Sequence, residues 1–246
     1  MHGSGRVRGA VRFSIGAFLI ALVVSWLLLY FDSIVQRRRA EQLILDLRSF
    51  PFATAGFPEV RDFMVSHGGK AIQRLPQTPP LTCTVHDCTF EVSVQHRLLR
   101  LPVDAGRTSE LLYTTLVYSG IRPWGVFIRF EVLGGRLERT STWIGQWKIG
   151  RFDGTNVLET IGYSVQTEQT STPYSRSGDH SSDYVVGRPH VSGPPTEILE
   201  ALLVQTPTAP MQRALDVNLR CLTSVLHGCR DFQELAPSAW ADHERK

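Results

Sequence analysis

The longest uninterrupted apolar pattern in the chain runs from Phe13 to Phe31, FSIGAFLIALVVSWLLLYF, 19 residues without a charge. As an α-helix rising 1.5 Å per residue it spans about 28 Å, close to the roughly 30 Å hydrocarbon thickness of a bilayer. Trp26, Tyr30 and Phe31 gather at one end, where amphipathic rings favour the membrane–water interface. Arg12 stands before the run, and Arg37, Arg38 and Arg39 follow it. These boundaries predict a basic tail over residues 1–12 and a transmembrane signal anchor over 13–35. From Arg37 to Phe50 the period changes. Ala40, Leu43, Ile44 and Leu47 recur at i, i+3, i+4 and i+7, predicting a helical juxtamembrane stalk over 36–50 that Pro51 ends.

The remainder, 51–246, reads as one soluble α+β domain. Pro58 to Ser66 predicts a short helix, with Pro at its start and Gly68-Gly69 at its end. Phe90, Val92 and Val94 alternate with polar residues as in a strand. Val126, Ile128, Phe130 and Val132 alternate with Arg129 and Glu131 before Gly134-Gly135, and Leu137 to Ile144 returns. That is a hairpin whose two-residue turn needs positive φ, which glycine adopts without steric cost. A helix is expected over 109–119 and further strands over 157–167, 184–191 and 198–205. The polar stretch at about 168–183 is expected to be a mobile loop. Ala209 to about Val225 predicts an amphipathic helix with Leu215, Leu219, Leu222 and Leu226 on one stripe, and Asp231 can cap a last short helix ending near Pro237. Strands meeting at short turns between groups of helices predict an antiparallel sheet with flanking helices behind an N-terminal transmembrane helix.

Charge sharpens this picture. The formal net charge is +3, yet six arginines flank the apolar run (Arg6, Arg8, Arg12 and Arg37 to Arg39) against Asp32 alone. The rest of the chain keeps 20 of the 26 basic and 22 of the 23 acidic side chains, near −2. That balance lacks the positive surface that displaces counterions from a nucleic acid, so no nucleic-acid partner is expected. The apolar run exceeds the 7–15 residues of a cleaved signal's core, and Ala53-Thr54-Ala55 lies about 22 residues beyond it, so the segment reads as an uncleaved anchor. Arginines on both flanks leave the positive-inside rule nearly balanced. The four cysteines decide the orientation. Cys83 with Cys88, and Cys221 with Cys229, form two local pairs in the large domain and fit an oxidising compartment. The expected disulfides are Cys83–Cys88 and Cys221–Cys229. The second requires the chain to leave the helix around Leu222 to Ser224, because an intact helix would hold those Cα atoms about 12 Å apart. The expectation is a cytoplasmic N-terminus, an inner-membrane span and an extracytoplasmic domain.

Chemical motifs are weak by comparison. Cys83-x-x-His86-x-Cys88 offers soft metal ligands, but the other pair is C-x7-C and supplies no clean fourth ligand. Ser177-Gly178-Asp179-His180 contains triad residue types as four neighbours in a polar loop, which cannot lock one another in triad geometry. His67-Gly68-Gly69-Lys70 lacks the first glycine and the final Ser/Thr of a phosphate loop. Glu131 and Glu138 read as cross-strand ion-pair partners of Arg129, Arg136 and Arg139. Trp124, Trp143 and Trp147 are candidates for either a core or a binding face. No catalytic residue, cofactor-binding residue or metal ligand is assigned, and no cofactor is expected. The Cys83-to-Cys88 element, the Gly-Gly hairpin and the tail CLTSVLHGCRDFQELAPSAW from Cys221 to Trp240 resemble a group of single-pass membrane proteins from acidobacterial genomes. The resemblance implies a bacterial envelope protein and carries no chemistry with it. The expected partners are the lipid bilayer and another envelope protein, with a non-enzymatic binding or scaffolding role. A pilin-like assembly subunit and an envelope hydrolase assembled from distant residues are the alternatives.

Overall fold

A computed structural model describes residues 4–72, 83–96, 114–152, 155–168, 183–187, 196–204, 208–224 and 228–245. The predicted anchor and stalk are a single helix, α1, Ser4–Arg48. Its two halves differ in what they touch. Phe18, Ile20 and Leu28 are 64, 66 and 65% exposed, whereas Ala40, Leu43 and Leu47 are fully buried. The stripe expected to form a stalk is therefore part of the domain core. The stretch Ile15–Arg48 is long and apolar enough to cross a membrane. The helix ends where Ser49 and Phe50 turn back onto Asp46 and Leu47, just before Pro51.

Helix α2 is Phe57–Ser66, started by Pro58, with Glu59 accepting from the Gly56 N–H at 2.9 Å. The sheet comprises β1 (Lys70–Ile72), β2 (Cys88–Gln95), β3 (Trp124–Leu133), β4 (Arg136–Phe152), β5 (Thr155–Glu168), β6 (Asp183–Gly187) and β7 (Thr196–Val204). Their spatial order is β1-β2-β3-β4-β5-β7-β6. Four of the six pairings follow the sequence order as an antiparallel meander, and β6 pairs antiparallel with β7, but β7 lies parallel to β5. The sheet is mixed rather than purely antiparallel. A parallel neighbour needs a crossover of a dozen or more residues, and the stretch between β5 and β7 supplies it while laying β6 along the outer edge. Most of the loop expected at 168–183, and residues 188–191 of the expected strand, lie outside the described residues. Residues 114–118 are helical and end at Gly120 with φ +86°; the rest of that expected helix also lies outside them.

The β3–β4 hairpin turns at Gly134 and Gly135 with φ of +59° and +80°. Its register shifts after Glu131, which pairs with Arg139, while Val132 pairs with Leu137. Glu138 is the extra residue of this bulge, a device that re-aims one strand against its partner.

After β7 the expected single helix is broken in two. Helix α3 is Thr208–Ala214 and α4 is Leu219–Leu222. Arg48 donates to the Leu215 carbonyl at 2.9 Å, and the Asn218 side chain accepts from the Arg220 N–H at 3.2 Å, so the break satisfies the backbone groups it frees. Asp231 caps α5, Phe232–Leu235, through the Glu234 N–H at 2.9 Å. Pro237 then opens α6, Pro237–Glu244, instead of ending the helical region. Proline is tolerated at a helix's first position because that N–H is unpaired there anyway.

One face of the sheet carries the core. Trp124, Val126, Ile128 and Phe130 of β3, Ile144 of β4, and Ile161, Tyr163 and Val165 of β5 pack against the buried stripe of α1, Val60 and Met64 of α2, and the C-terminal helices. Phe130 gathers Phe50, Phe52 and Phe63 at ring separations of 5.2, 6.4 and 5.5 Å. Three buried polar side chains of the sheet reach across this layer. The Trp124 indole donates to Ser33 of α1 at 2.9 Å, Gln146 donates to the Cys229 carbonyl at 2.7 Å, and the Tyr163 hydroxyl donates to the Ala214 carbonyl at 2.7 Å. A buried donor left unpaired costs about 1–3 kcal/mol, so these bonds help fix α1, the end of α3 and the loop at Cys229 against the sheet.

Candidate functional site

The opposite face of the sheet is built from residues of the other parity. Strand register sets them in rows: Ser93, Phe127, Trp143, Ser164 and Glu200 across β2, β3, β4, β5 and β7, and beside them Gln95, Gly125, Gly145, Gly162 and Ile198. Phe127 and Trp143 sit directly opposite each other with ring centroids 5.5 Å apart. Glycines form the floor beneath them. A Cβ on Gly145 would lie 2.5 Å from the Trp143 ring and one on Gly162 3.0 Å from its indole nitrogen, while one on Gly125 would lie 2.7 Å from Phe127. The absence of side chains on these glycines lets both rings lean over the row, with their planes 55° apart. Both remain half-buried rather than buried.

Charged pairs border the aromatic patch. Arg129 pairs with Glu91 at 3.0 Å, and Arg139 lies 3.9 Å from Glu131. A shallow depression lined by Glu91, Phe127, Ile128, Arg129, Ser141 and Trp143 joins patch and border. A half-buried aromatic pair rimmed by paired charges suits the burial of another surface, since aromatic side chains and Arg concentrate at interfaces. Two traces of this feature stand in the sequence: Trp143, a candidate for a core or a binding face, and Phe127. Phe127 is an apolar residue in the parity that Arg129 and Glu131 otherwise make polar.

Other candidate residues resolve differently. Cys83 is bonded to Cys88 with Cα atoms 4.6 Å apart, and Cys221 to Cys229 at 4.7 Å. No thiolate therefore remains for metal or redox chemistry at these four positions, and no cluster of metal-ligating residues occurs among the described residues. His67 packs on Phe63 and pairs with Asp46 at 3.2 Å, and Gly68, at φ +72°, closes the end of α2. Glu131 pairs across the hairpin with Arg139, as an ion-pair partner should, and Glu138 is the bulged residue beside them. Trp124 is core. The Trp147 side chain and the Ser177–His180 stretch lie outside the described residues.

The residues flanking the apolar run divide as well. Trp26 stacks on Tyr30 at 5.7 Å and donates its indole N–H to the Ser119 carbonyl at 3.3 Å, so these rings meet the domain as well as the surroundings of the helix. Arg37 donates to the Thr223 hydroxyl at 2.7 Å and pairs with Glu41 at 3.4 Å. Arg38 and Arg39 are exposed. Arg12 lies on α1 with its side chain outside the described ones. His96, fully buried at the end of β2, hydrogen-bonds the Leu29 carbonyl at 3.4 Å. Burial pushes its pKa down, against the opposing pull of that carbonyl and of Asp32, so the neutral ring that donates this bond is favoured.

No family model, curated protein or solved structure matches the chain.

Proposed function

We propose that this chain is a single-pass protein of a bacterial inner membrane. Its disulfide-bonded domain stands on the extracytoplasmic side and binds another envelope protein through the aromatic face of the sheet, without catalysis. The observation that carries the binding reading is the Phe127–Trp143 pair on its glycine floor. Three glycines in register leave room for this aromatic pair on the side of the sheet away from the core. The uncleaved anchor is supported by the position of the core stripe: cutting after Ala53-Thr54-Ala55 would remove Ala40, Leu43, Ile44 and Leu47 from the core. The extracytoplasmic placement is supported by two disulfides, which persist in oxidising compartments.

A photo-crosslinking amino acid at Trp143, in cells carrying the full chain, tests the binding reading. It should capture one specific polypeptide from native membranes, and the same probe at Val65, exposed on α2, should not. Equal, non-specific capture at both positions would refute a dedicated face. A phosphatase fused after Lys246 should be active; a silent phosphatase with an active cytoplasmic reporter at the same position would reverse the orientation. One observation favours a second reading, the pilin-like subunit: a long helix bare and apolar at one end and packed on a sheet at the other. That reading requires filaments of this chain alone, visible by electron microscopy.

A further inference from the structure

The domain joins α1 deeper than the charged boundary of the apolar run, and from this we infer that its rim at Tyr118–Gly120 is immersed in the boundary between lipid headgroups and acyl chains. The inference rests on the single-pass reading above and adds a lipid-contacting surface to the domain.

The helix supplies the ruler. From Arg12 to Asp32 are 20 residues, about 30 Å of rise, which matches the hydrocarbon layer. The domain, however, does not begin at Asp32. Ser119 accepts from Trp26 and His96 reaches the Leu29 carbonyl, six and three residues before Asp32. The first of these contacts lies about 9 Å along the axis inside that boundary. Raising the domain clear of the lipid would leave Arg12 to Trp26, about 21 Å, to cross the whole layer.

The far side of the helix gives an independent reason. Leu27, Leu28 and Phe31 are 40, 65 and 60% exposed at the same level as the domain contacts. A bilayer that covers Phe31 on this side also rises past Ser119 on the other. The rim has the composition for such a position. Tyr118, 63% exposed, adjoins Ser119, which accepts from Trp26 of the stacked Trp26–Tyr30 pair, and aromatic rings with polar tips prefer this layer. Arg38 and Arg39 follow Asp32 by six and seven residues, about 9–10.5 Å farther out and just beyond the roughly 5–7.5 Å headgroup layer, from where their long side chains can reach back to lipid phosphates. The occupant is therefore a phospholipid boundary and not a water-filled gap.

Spin-label accessibility in the full chain tests this. All four native cysteines are disulfide-bonded, so a single added cysteine takes a nitroxide label without reduction. Ser119→Cys is placed in vesicles of phosphatidylethanolamine and phosphatidylglycerol. Leu22→Cys reports the anchor, and Val65→Cys, exposed on α2, reports water. At Ser119→Cys the label should be relaxed by oxygen and should be roughly tenfold less accessible to a polar nickel chelate than at Val65→Cys, since polar groups enter the acyl region poorly. Nickel access equal to that at Val65→Cys, with Leu22→Cys protected, overturns the immersion and leaves the anchor standing. Nickel access at Leu22→Cys overturns the anchor itself. Protection from both oxygen and nickel at Ser119→Cys means a protein contact, such as a second copy, and also overturns the inference. Tyr118→Cys repeats the measurement one residue away, so a local disturbance at one position does not decide the result.

Discussion

Replacing Leu43 by alanine asks whether the C-terminal half of α1 is a core element or a tether. Leu43 is fully buried, in the same cluster as Leu47 and Ile44, whereas Leu45, two residues on, is 54% exposed. Leu→Ala at a buried site removes the transfer free energy of the side chain and leaves a cavity, together about 3 kcal/mol within a range of 2.7–5.0. The same change at an exposed helix position stays within about 0.5 kcal/mol. With a urea dependence of about 2 kcal/mol per molar for a domain of this size, the Leu43→Ala midpoint should fall by about 1.5 M and that of Leu45→Ala by at most about 0.3 M. The assay is urea unfolding of the full chain in a mild detergent, followed by near-ultraviolet circular dichroism and by tryptophan fluorescence. Trp124 is a suitable reporter because it is fully buried and bonded to Ser33 of the same helix. Leu47→Ala should behave like Leu43→Ala, but the pair, four residues apart on one stripe, should not add simply. Coincident midpoints for Leu43→Ala and Leu45→Ala would show that the helix is a stalk and that its burial does not stabilise the domain.

Three further outcomes follow from the same packing. The full chain should resist carbonate extraction, and a chain beginning at Ala40 should be soluble; lacking the Ser33 and Arg37 bonds it should be roughly 1–3 kcal/mol less stable than one beginning at Asp32, and release of the full chain by carbonate would refute the anchor. His96 has its pKa lowered by burial, so its contribution is fully present above the unfolded value of about 6.5 and is lost as pH falls through the folded value; the urea midpoint should drop between pH 7.5 and 5 more steeply than in His96→Gln, and parallel slopes would refute this. Replacing Cys221 and Cys229 together by serine should lower stability by about 2–3 kcal/mol through the entropy regained by the unfolded chain, read as a lower thermal midpoint, and an unchanged midpoint would refute that contribution.

What could be read in the sequence was whatever local pattern determines. The apolar run, the β3–β4 hairpin with its Gly134-Gly135 turn, and the two close cysteine pairs are specified by neighbours in the chain. The i, i+3, i+4, i+7 stripe of α1 was equally visible, but amphipathicity says only that one face is covered, not by what; the partner is a sheet that begins more than 20 residues later. The parallel pairing of β7 with β5 was hidden for the same reason, since strand direction is set by a crossover and not by period. The helix expected over 209–225 was overridden by tertiary bonds, Arg48 to Leu215 and Asn218 to Leu235, made by residues far apart in sequence. The aromatic face depends on register across three strands, which brings Gly125, Gly145 and Gly162 into one row; in the sequence these are three unrelated glycines.

The disulfides connect this architecture to the compartment. Each is local, and each braces a loop that receives bonds from a distant element. Cys83–Cys88 closes the loop in which the His86 carbonyl accepts from Gly135 at 2.9 Å, holding the tip of the β3–β4 hairpin. Cys221–Cys229 closes the turn that carries Thr223, the acceptor for Arg37 of α1, and the Cys229 carbonyl, the acceptor for Gln146 of β4. Gly228, at φ +60°, brings the chain back to make this possible. Neither bridge joins two halves of the core, so their loss would loosen particular junctions before it unfolded the sheet. The second junction is where α1 meets the C-terminal elements of the domain. α1 passes unbroken from the apolar run into the core, so these contacts hold one continuous helix against the domain. The Cys221–Cys229 bridge holds the acceptors for Arg37 and Gln146 on one closed loop, and such a bridge persists where the surroundings are oxidising.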